Sequence, residues 1–209
     1  MTKALPLMAA VIMLATVSCS RRTHPAASGT SETGKGNAGI ELKTSGITLK
    51  IPGSTISSSE KKRLEQFVET GVEASVDTKD TTPDEIIRTA RGYLGVPHCM
   101  GGTTTKCMDC SGLLVRVFAD HGITLPHSSE EQARYGKVIG DRASLLPGDL
   151  VFFIRTYNTS RLVTHSGIYL GDGSFIHTSS SRGVVVTPID DPWWSERYLF
   201  ATRIFAEKR

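Results

Sequence analysis

The chain has 209 residues, of which 39% are hydrophobic and 22% are charged, enough for one globular core with a small appendage. Its net charge is only +3, and no cluster of lysines and arginines is interleaved with aromatic residues as in nucleic-acid-binding proteins. Composition and charge therefore favour a single folded domain and exclude a nucleic-acid partner.

The first residues predict an export signal, residues 1–18. Lys3 provides a positive charge, an apolar run extends from Leu5 to Val17, and small residues precede Cys19. The run is too short to span a bilayer permanently. The position of Cys19 resembles that in bacterial lipoprotein signals, which predicts lipidation; the alternative is plain cleavage and secretion. A lipid would anchor the protein to a membrane, and the lack of acidic residues directly after it favours the periplasmic side of the outer membrane.

Two segments precede the main domain. Residues 19–39 are rich in Ser, Thr, Gly and Ala, which predicts a flexible tether after the lipidated cysteine. Residues 40–80 contain an alternating stretch at residues 46–51, which predicts a strand, and a helical apolar pattern after a capping-box spacing that starts at Ser57. We interpret residues 40–80 as a small N-terminal extension that packs on the main domain.

Helices begin the main domain, residues 81–209. Thr82 can cap a helix whose first residue is a proline, which suits that position. A Gly- and Thr-rich loop follows, and a second helical pattern starts at Cys110. A short third helix is predicted to start at Ser128 or Ser129, with two glutamates in its first turn.

Strands dominate the rest of the chain. They are short, contain β-branched and aromatic residues, and are separated by Gly, Pro or Asp turns. The predicted strands are Leu150–Ile154, Leu162–Leu170, Ser174–Thr178, Gly183–Ile189 and Leu199–Phe205. Helices followed by an antiparallel meander predict an α+β fold.

Cys110 is the candidate nucleophile. It follows a polar, Gly-rich loop and opens a predicted helix. A helix N-terminus carries partial positive charge and unpaired backbone N–H groups, which favour a thiolate and can hold an oxyanion. The alternative is a buried structural cysteine.

Two histidines are candidates for the base that such a thiol needs. His165 and His177 lie in consecutive predicted strands that a Gly-Asp-Gly stretch connects. A three-residue loop places the two histidines as diagonal neighbours on one face of the sheet, whereas a two-residue Asp-Gly turn places them on opposite faces. By contrast, His121 and His127 lie near turns and are predicted to be solvated.

Three motifs in fixed order resemble the NlpC family of cell-wall cysteine peptidases. They are Asp109-Cys110-Ser111-Gly112 after a pair of glycines, PGDLVFF at residues 147–153, and THSGIYLGDGSFIH at residues 164–177. The resemblance covers roughly residues 83–205 and implies a papain-like α+β fold, with helices packed on an antiparallel sheet.

The resemblance also implies a mechanism and a substrate. Cys110 would be the nucleophile, His165 the base, and His177 the third residue that orients it. The substrate would be peptidoglycan stem peptides, commonly cut between D-γ-glutamate and a diamino acid. We further expect Asp109 and Ser111 to contribute to oxyanion or substrate binding.

Two positions depart from the family pattern. His98 stands where the family usually has a tyrosine near the oxyanion; a histidine could donate the same hydrogen bond, but its charge varies with pH. The usual Pro-Arg-Thr-Ser stretch reads Pro126-His127-Ser128-Ser129. Both departures concern substrate and oxyanion contacts rather than the Cys/His/His set.

Other hypotheses remain open at this point. Cys107 and Cys110 form a C-x-x-C motif that would suit thiol–disulfide exchange, and His98, Cys99, Cys107 and Cys110 could bind zinc. Alternatively, Cys99 and Cys107 could form a disulfide that leaves Cys110 free. A wall-binding module without catalysis is a further possibility. The peptidase hypothesis requires no cofactor or metal.

Overall fold

The structure is a computed structural model that describes residues 40–51 and 56–205. The predicted export signal, Cys19 and the predicted tether lie outside the described residues. Within the part that is described, no helix has both the length and the apolar character that a membrane span requires.

A six-stranded antiparallel sheet forms the centre of the molecule, with the strand order β5-β10-β6-β7-β8-β9. Two further hairpins lie outside it, β1 with β2 and β3 with β4. The strands are β1 Ile40–Thr44, β2 Ile47–Ile51, β3 Thr103–Thr104, β4 Cys107–Met108, β5 Lys137–Ile139, β6 Leu150–Phe153, β7 His165–Tyr169, β8 Ser174–Ser179, β9 Gly183–Pro188 and β10 Tyr198–Arg203. With its helices, this antiparallel arrangement confirms the predicted α+β class.

The helices begin where the sequence places capping residues. Ser57 and Thr82 each form a complete capping box with a glutamate three residues later, and Asp109 and Ser128 cap the next two helices. The helices are α1 Ser58–Glu69, α2 Pro83–Arg91, α3 Cys110–Ala119, α4 Ser129–Gln132 and α5 Pro192–Ser195, with a 3₁₀ turn at Arg142–Ser144. The starts of α1 to α4 were predictable because each cap is a contact within three residues, whereas α5, which Asp191 caps, was not predicted.

The longest apolar helix, α3, positions the start of the site. Its residues Leu113, Leu114, Val117 and Phe118 are fully buried, and the helix packs against β7 and β8. Burial of four large side chains contributes several kcal/mol, at about 1.5–3 kcal/mol each. The N-terminal residue Cys110 is thereby held beside the middle of the sheet.

Residues 40–51 form a hairpin that packs on the far edge of the sheet. Ser45 and Gly46 both have positive φ, 46° and 79°, as a two-residue hairpin turn of the primed type requires. Leu49 and Ile51 are fully buried, and the N–H of Lys50 donates to the carbonyl of Gly140 at 2.8 Å. Neither β1 nor β5 was predicted from the sequence. Strand β5 forms by pairing with the distant strand β10, whereas β1 pairs with its neighbour β2 across the turn at Ser45 and Gly46.

Strand β7 begins later than predicted, at His165 rather than Leu162. The backbone N–H groups of Leu162 and Val163 donate to the carboxylate of Glu130, at 2.6 and 3.1 Å. A side chain of α4 thus satisfies these donors instead of a neighbouring strand, and the ladder starts only at His165.

Candidate active site

Cys110 lies at the first position of α3, and Asp109 holds the turn before it. The Asp109 carboxylate accepts hydrogen bonds from the N–H of Gly112 at 2.6 Å, the N–H of Gly101 at 2.8 Å and the hydroxyl of Ser111 at 3.0 Å. These bonds hold the pKa of Asp109 below its usual value although burial opposes them. The motif residues Asp109 and Ser111 therefore contact each other and the backbone that presents the thiol.

The final glycine of the motif allows a close approach of two backbone segments. A Cβ atom on Gly112 would lie 1.9 Å from the carbonyl oxygen of Gly102. Gly102 also accepts a hydrogen bond from the N–H of Asp109 at 3.1 Å. Any larger residue at position 112 would push the loop away from the nucleophile.

Cys99 and Cys107 form a disulfide, and Cys110 is the free cysteine of the described residues. Because Cys99 and Cys107 are bonded to each other, two of the four proposed zinc ligands are not available to a metal. Cys107 is also not available to act with Cys110 as a C-x-x-C exchange pair. The bridge ties together the loop that carries His98 on one side and Cys110 on the other.

The thiol of Cys110 is enclosed by polar groups. Its sulfur lies 3.6 Å from the hydroxyl of Ser129. The backbone N–H groups of Ser111 and Ser166 act to lower the pKa of the thiol. Burial nevertheless raises the pKa of the Cys110 thiol, with a smaller contribution from the Asp109 charge, and it outweighs the effect of the two backbone N–H groups. The expectation that the helix N-terminus favours a thiolate in the resting state was wrong, because desolvation of the charged form dominates.

His165 and His177 face each other across β7 and β8. The pairing of Ile168 with Ile176 leaves a three-residue loop, so both histidines lie on the same face. Nε2 of His165 lies 3.0 Å from Nδ1 of His177, and Nε2 of His177 lies 3.0 Å from the hydroxyl of Thr187. Of the two loop alternatives, the three-residue loop is present.

Aromatic side chains cover this histidine pair. The ring centroid of Trp194 lies 4.8 Å from that of His165 and 4.5 Å from that of His177, and Phe175 stacks on His177 at 4.6 Å. Burial lowers the pKa of His165 to about 3, with a smaller effect of His98, and lowers that of His177 to about 2, with a smaller effect of His165. Both rings are therefore neutral at neutral pH in the resting protein.

Thr187 is the hydrogen-bond partner of the outer nitrogen of His177, and its hydroxyl can either donate or accept there. A neutral imidazole has one N–H donor and one acceptor. If His177 is to accept a hydrogen bond from His165 at Nδ1, its own proton must be on Nε2, where it can be donated to the Thr187 hydroxyl. Nδ1 of His165 then remains for exchange with the thiol. No sequence motif pointed to Thr187, because it lies on β9, ten residues after His177.

Cys110 and His165 open into one cleft of about 660 Å³. His98, Asp109 and Ser111 also line this cleft, so the structure brings together the predicted residues other than Cys19; His177 lies directly behind His165. The cleft wall further includes Arg161 and Arg182.

The two histidines that were predicted to be solvated also have hydrogen-bonding neighbours, although His127 is exposed as predicted. Nε2 of His127 lies 3.1 Å from the Asp109 carboxylate at the cleft wall, and Nε2 of His121 lies 2.8 Å from the hydroxyl of Thr89. The turn before α4 folds back over the start of α3, and this long-range contact is invisible in local sequence.

Acidification below about pH 6.5 is expected to destabilise the fold through the histidine pair. Both histidines have folded-state pKa values below the ordinary 6.5, so the unfolded chain binds protons that the folded chain does not. As the pH is lowered, the free energy of unfolding should therefore decrease by up to about 1.4 kcal/mol per pH unit for each histidine. Urea unfolding between pH 7 and 5 measures this slope, which His177→Asn should reduce. Equal slopes in both proteins would contradict the prediction.

Comparison with known proteins places this site in a described family. The model of the NlpC/P60 family matches residues 95–203. The chain is 38% identical over 133 residues to "Murein DD-endopeptidase MepS/Murein LD-carboxypeptidase" of Escherichia coli, covering 63% of this chain and 66% of that protein. It is 35% identical over 128 residues to "Gamma-D-glutamyl-L-lysine dipeptidyl-peptidase" of Bacillus cereus, covering 61% of this chain and 38% of that protein.

A solved structure gives the same result at the level of the fold. The crystal structure of an NlpC/P60 family protein from Bacillus cereus matches with a TM-score of 0.56 and 35% identity, over 61% of this chain and 42% of that one. The likeness confirms the predicted NlpC-type fold. The aligned region spans less than two thirds of the length of both curated relatives.

Proposed function

The chain belongs to the NlpC/P60 family, and on that premise we propose that it is a cysteine-type peptidase that hydrolyses the stem peptides of peptidoglycan. The observation that carries this proposal is the arrangement of a free thiol at a helix N-terminus and a buried histidine pair around one cleft. A nucleophile, a base and a third residue that orients the base are the parts that acyl transfer needs.

The raised pKa of the thiol and the lowered pKa of His165 favour proton transfer during attack rather than a preformed ion pair. As the Cys110 sulfur attacks the amide carbon, its proton passes to Nδ1 of His165, and His177 accepts a hydrogen bond from Nε2. The imidazolium of His165 then protonates the leaving amine, and the amide bond breaks to leave a thioester. Water hydrolyses the thioester and regenerates the thiol.

The oxyanion of this reaction would form beside the start of α3. The N–H of Cys110 belongs to the first turn of the helix, where backbone donors lack intrahelical partners. His98 lines the same cleft, and we propose that its ring donates a second hydrogen bond where the family usually has a tyrosine.

The charges of the cleft suit a substrate with free carboxylates, as stem peptides have. Arg161 and Arg182 lie on the cleft wall, and the guanidinium of Arg161 is held by the hydroxyl of Ser128 at 2.8 Å. Asp109 is the only carboxylate among the described lining residues, and its oxygens already accept hydrogen bonds from the protein. An anionic peptide would therefore meet cations without facing an unpaired acid.

We expect Arg182→Gln to raise KM for an acidic stem peptide about 5- to 30-fold with little change in kcat. The basis is the loss of a charge-assisted hydrogen bond of about 1–2 kcal/mol at an exposed guanidinium. Steady-state kinetics on paired substrates, one with the glutamate α-carboxylate free and one with it amidated, measure the effect. Arg88→Gln, on the exposed face of α2, is the matched control. An unchanged preference for the acidic substrate would contradict this role.

The bond that is cut can be assigned by product analysis, because the names of the two relatives point to different bonds. The purified protein would be incubated with a stem tripeptide, a tetrapeptide and a crosslinked dimer, and the products identified by mass spectrometry. We propose the bond between D-γ-glutamate and the diamino acid, which predicts cleavage of the tripeptide. Cleavage of the dimer alone would move the specificity to the crosslink. No cleavage of any of the three would contradict the peptidase proposal.

We also propose that the mature protein is a lipoprotein on the periplasmic side of the outer membrane. The support is the sequence before Cys19, together with the murein-directed names of the relatives, since murein lies outside the inner membrane. Metabolic labelling with palmitate, followed by membrane fractionation, tests this proposal. Label that persists in Cys19→Ser, or protein confined to the inner membrane, would contradict it.

A further inference from the structure

A buried chain of polar side chains runs from Cys110 into the core, and we name Ser129, Ser166 and Gln132 the hydroxyl relay. The Cys110 sulfur lies 3.6 Å from the Ser129 hydroxyl, which lies 3.0 Å from that of Ser166. The Ser166 hydroxyl lies 3.0 Å from Oε1 of Gln132. Ser166 and Gln132 are 0% exposed and Ser129 is 7% exposed, so these bonds form away from bulk solvent.

Gln132 determines the direction of the hydrogen bonds in the relay. Its Nε2 lies 2.9 Å from the carbonyl oxygens of both Ser111 and Pro126. Carbonyl oxygens only accept, so the atom between them must be the NH₂ group, and both of its protons are used. Oε1 therefore faces Ser166 and can only accept the proton of that hydroxyl.

Each hydroxyl has one proton to donate, so the direction of one hydrogen bond in the relay determines the direction of the next. Ser166 gives its proton to Gln132, so the 3.0 Å contact between the two serines requires Ser129 to donate to Ser166. The proton of Ser129 then points away from Cys110. Only lone pairs of Ser129 face the sulfur.

We propose that the hydroxyl relay holds Ser129 as a hydrogen-bond acceptor for the Cys110 thiol and thereby stabilises the protonated nucleophile in the resting enzyme. Ser129 and Ser166 are positioning residues that act through Cys110, and the inference rests on its proposed role as nucleophile. A thiolate could gain the proton of Ser129 only if that hydroxyl turned away from Ser166. The two serine oxygens would then face each other at 3.0 Å without a proton between them, unless Ser166 also turned and left Oε1 of Gln132 without its donor. Burial of the sulfur acts in the same direction.

Alkylation of Cys110 by iodoacetamide between pH 5 and 10, followed by mass spectrometry, tests the proposal without a substrate. In Ser166→Ala the proton of Ser129 is released and can stabilise the thiolate. The measured thiol pKa should fall by about one unit, with about tenfold faster alkylation at pH 7. In Ser129→Ala the pKa should not rise, because an acceptor rather than a donor is removed.

A hydrogen bond in the opposite direction, from Ser129 to the sulfur, predicts a different pattern of thiol pKa changes. If Ser129 donated to the sulfur, Ser129→Ala would raise the thiol pKa and Ser166→Ala would leave it unchanged, and that result would overturn the proposal. An unchanged pKa in Ser166→Ala also overturns it. Both variants remove one oxygen atom, and thermal unfolding checks that they fold.

Thr202→Val is the matched control, because it removes a fully buried hydroxyl of β10 that has no hydrogen-bond partner among the described residues. The titratable and charged groups that share the cleft with the thiol are His98, Asp109, His127, Tyr157, Arg161, His165 and Arg182, and no variant alters them. Since alkylation needs no peptide, a failed relay and a failed peptidase proposal are distinguishable. If the variants shift the thiol pKa as predicted but the protein cleaves no peptide, only the peptidase proposal is refuted.

Discussion

Replacing Cys110 by alanine is expected to lower kcat/KM for stem peptides by about 10⁴- to 10⁶-fold, as for other nucleophiles in catalytic triads. The covalent thioester cannot form without the sulfur. The fold should persist, because the Cys110 side chain lines the cleft outside the hydrophobic core and the helix cap depends on Asp109. Product formation by mass spectrometry, with thermal unfolding of the same sample, measures both effects.

The other two cysteines provide the control for this experiment. The double variant Cys99→Ala, Cys107→Ala removes the disulfide but keeps the free thiol. It should lose about 2–3 kcal/mol of stability for a short closed loop, yet retain measurable cleavage below its unfolding temperature. Activity that survives in Cys110→Ala, or that vanishes only when the disulfide is removed, would refute Cys110 as the nucleophile.

Replacing His177 by leucine is expected to lower kcat by about 10²- to 10⁴-fold with little effect on KM. Leucine leaves Nε2 of His165 buried without the acceptor that Nδ1 of His177 now provides at 3.0 Å. The wrong tautomer of a catalytic histidine costs about 10⁴-fold in kcat in serine proteases. Steady-state kinetics with a fluorogenic stem-peptide substrate separate kcat from KM.

Two further variants separate orientation of His165 from packing around it. His177→Asn places an oxygen acceptor near the position of Nδ1 and should recover much of the lost kcat. Thr187→Val keeps His177 but removes the group that accepts its Nε2 proton, so a smaller loss of about 3- to 10-fold is expected from one neutral hydrogen bond. Equal activity of the leucine and asparagine variants would show that the third residue only fills space.

Much of the fold was predictable because its signals act over short distances. The caps at Ser57, Thr82 and Asp109 contact backbone within three residues, and all three begin the helices where the sequence placed them. The loop between β7 and β8 left two registers open, and each register had a definite consequence for the histidines. The choice of the three-residue loop needed the structure.

The sequence by itself determined the fold class, the starts of α1 to α4 and the ordered motifs that resemble the NlpC family, because alternation, capping and motif spacing are local properties. Tertiary structure alone decided the protonation of the site. Burial of Cys110, His165 and His177 opposes charge on each of them. At Cys110 this effect outweighs the stabilisation of a thiolate that the helix N-terminus led us to expect. The partners Thr187 and Gln132 likewise come from distant elements. The physical reason is that desolvation and hydrogen-bond direction depend on every element packed around a group, whereas a sequence pattern reports only its neighbours along the chain.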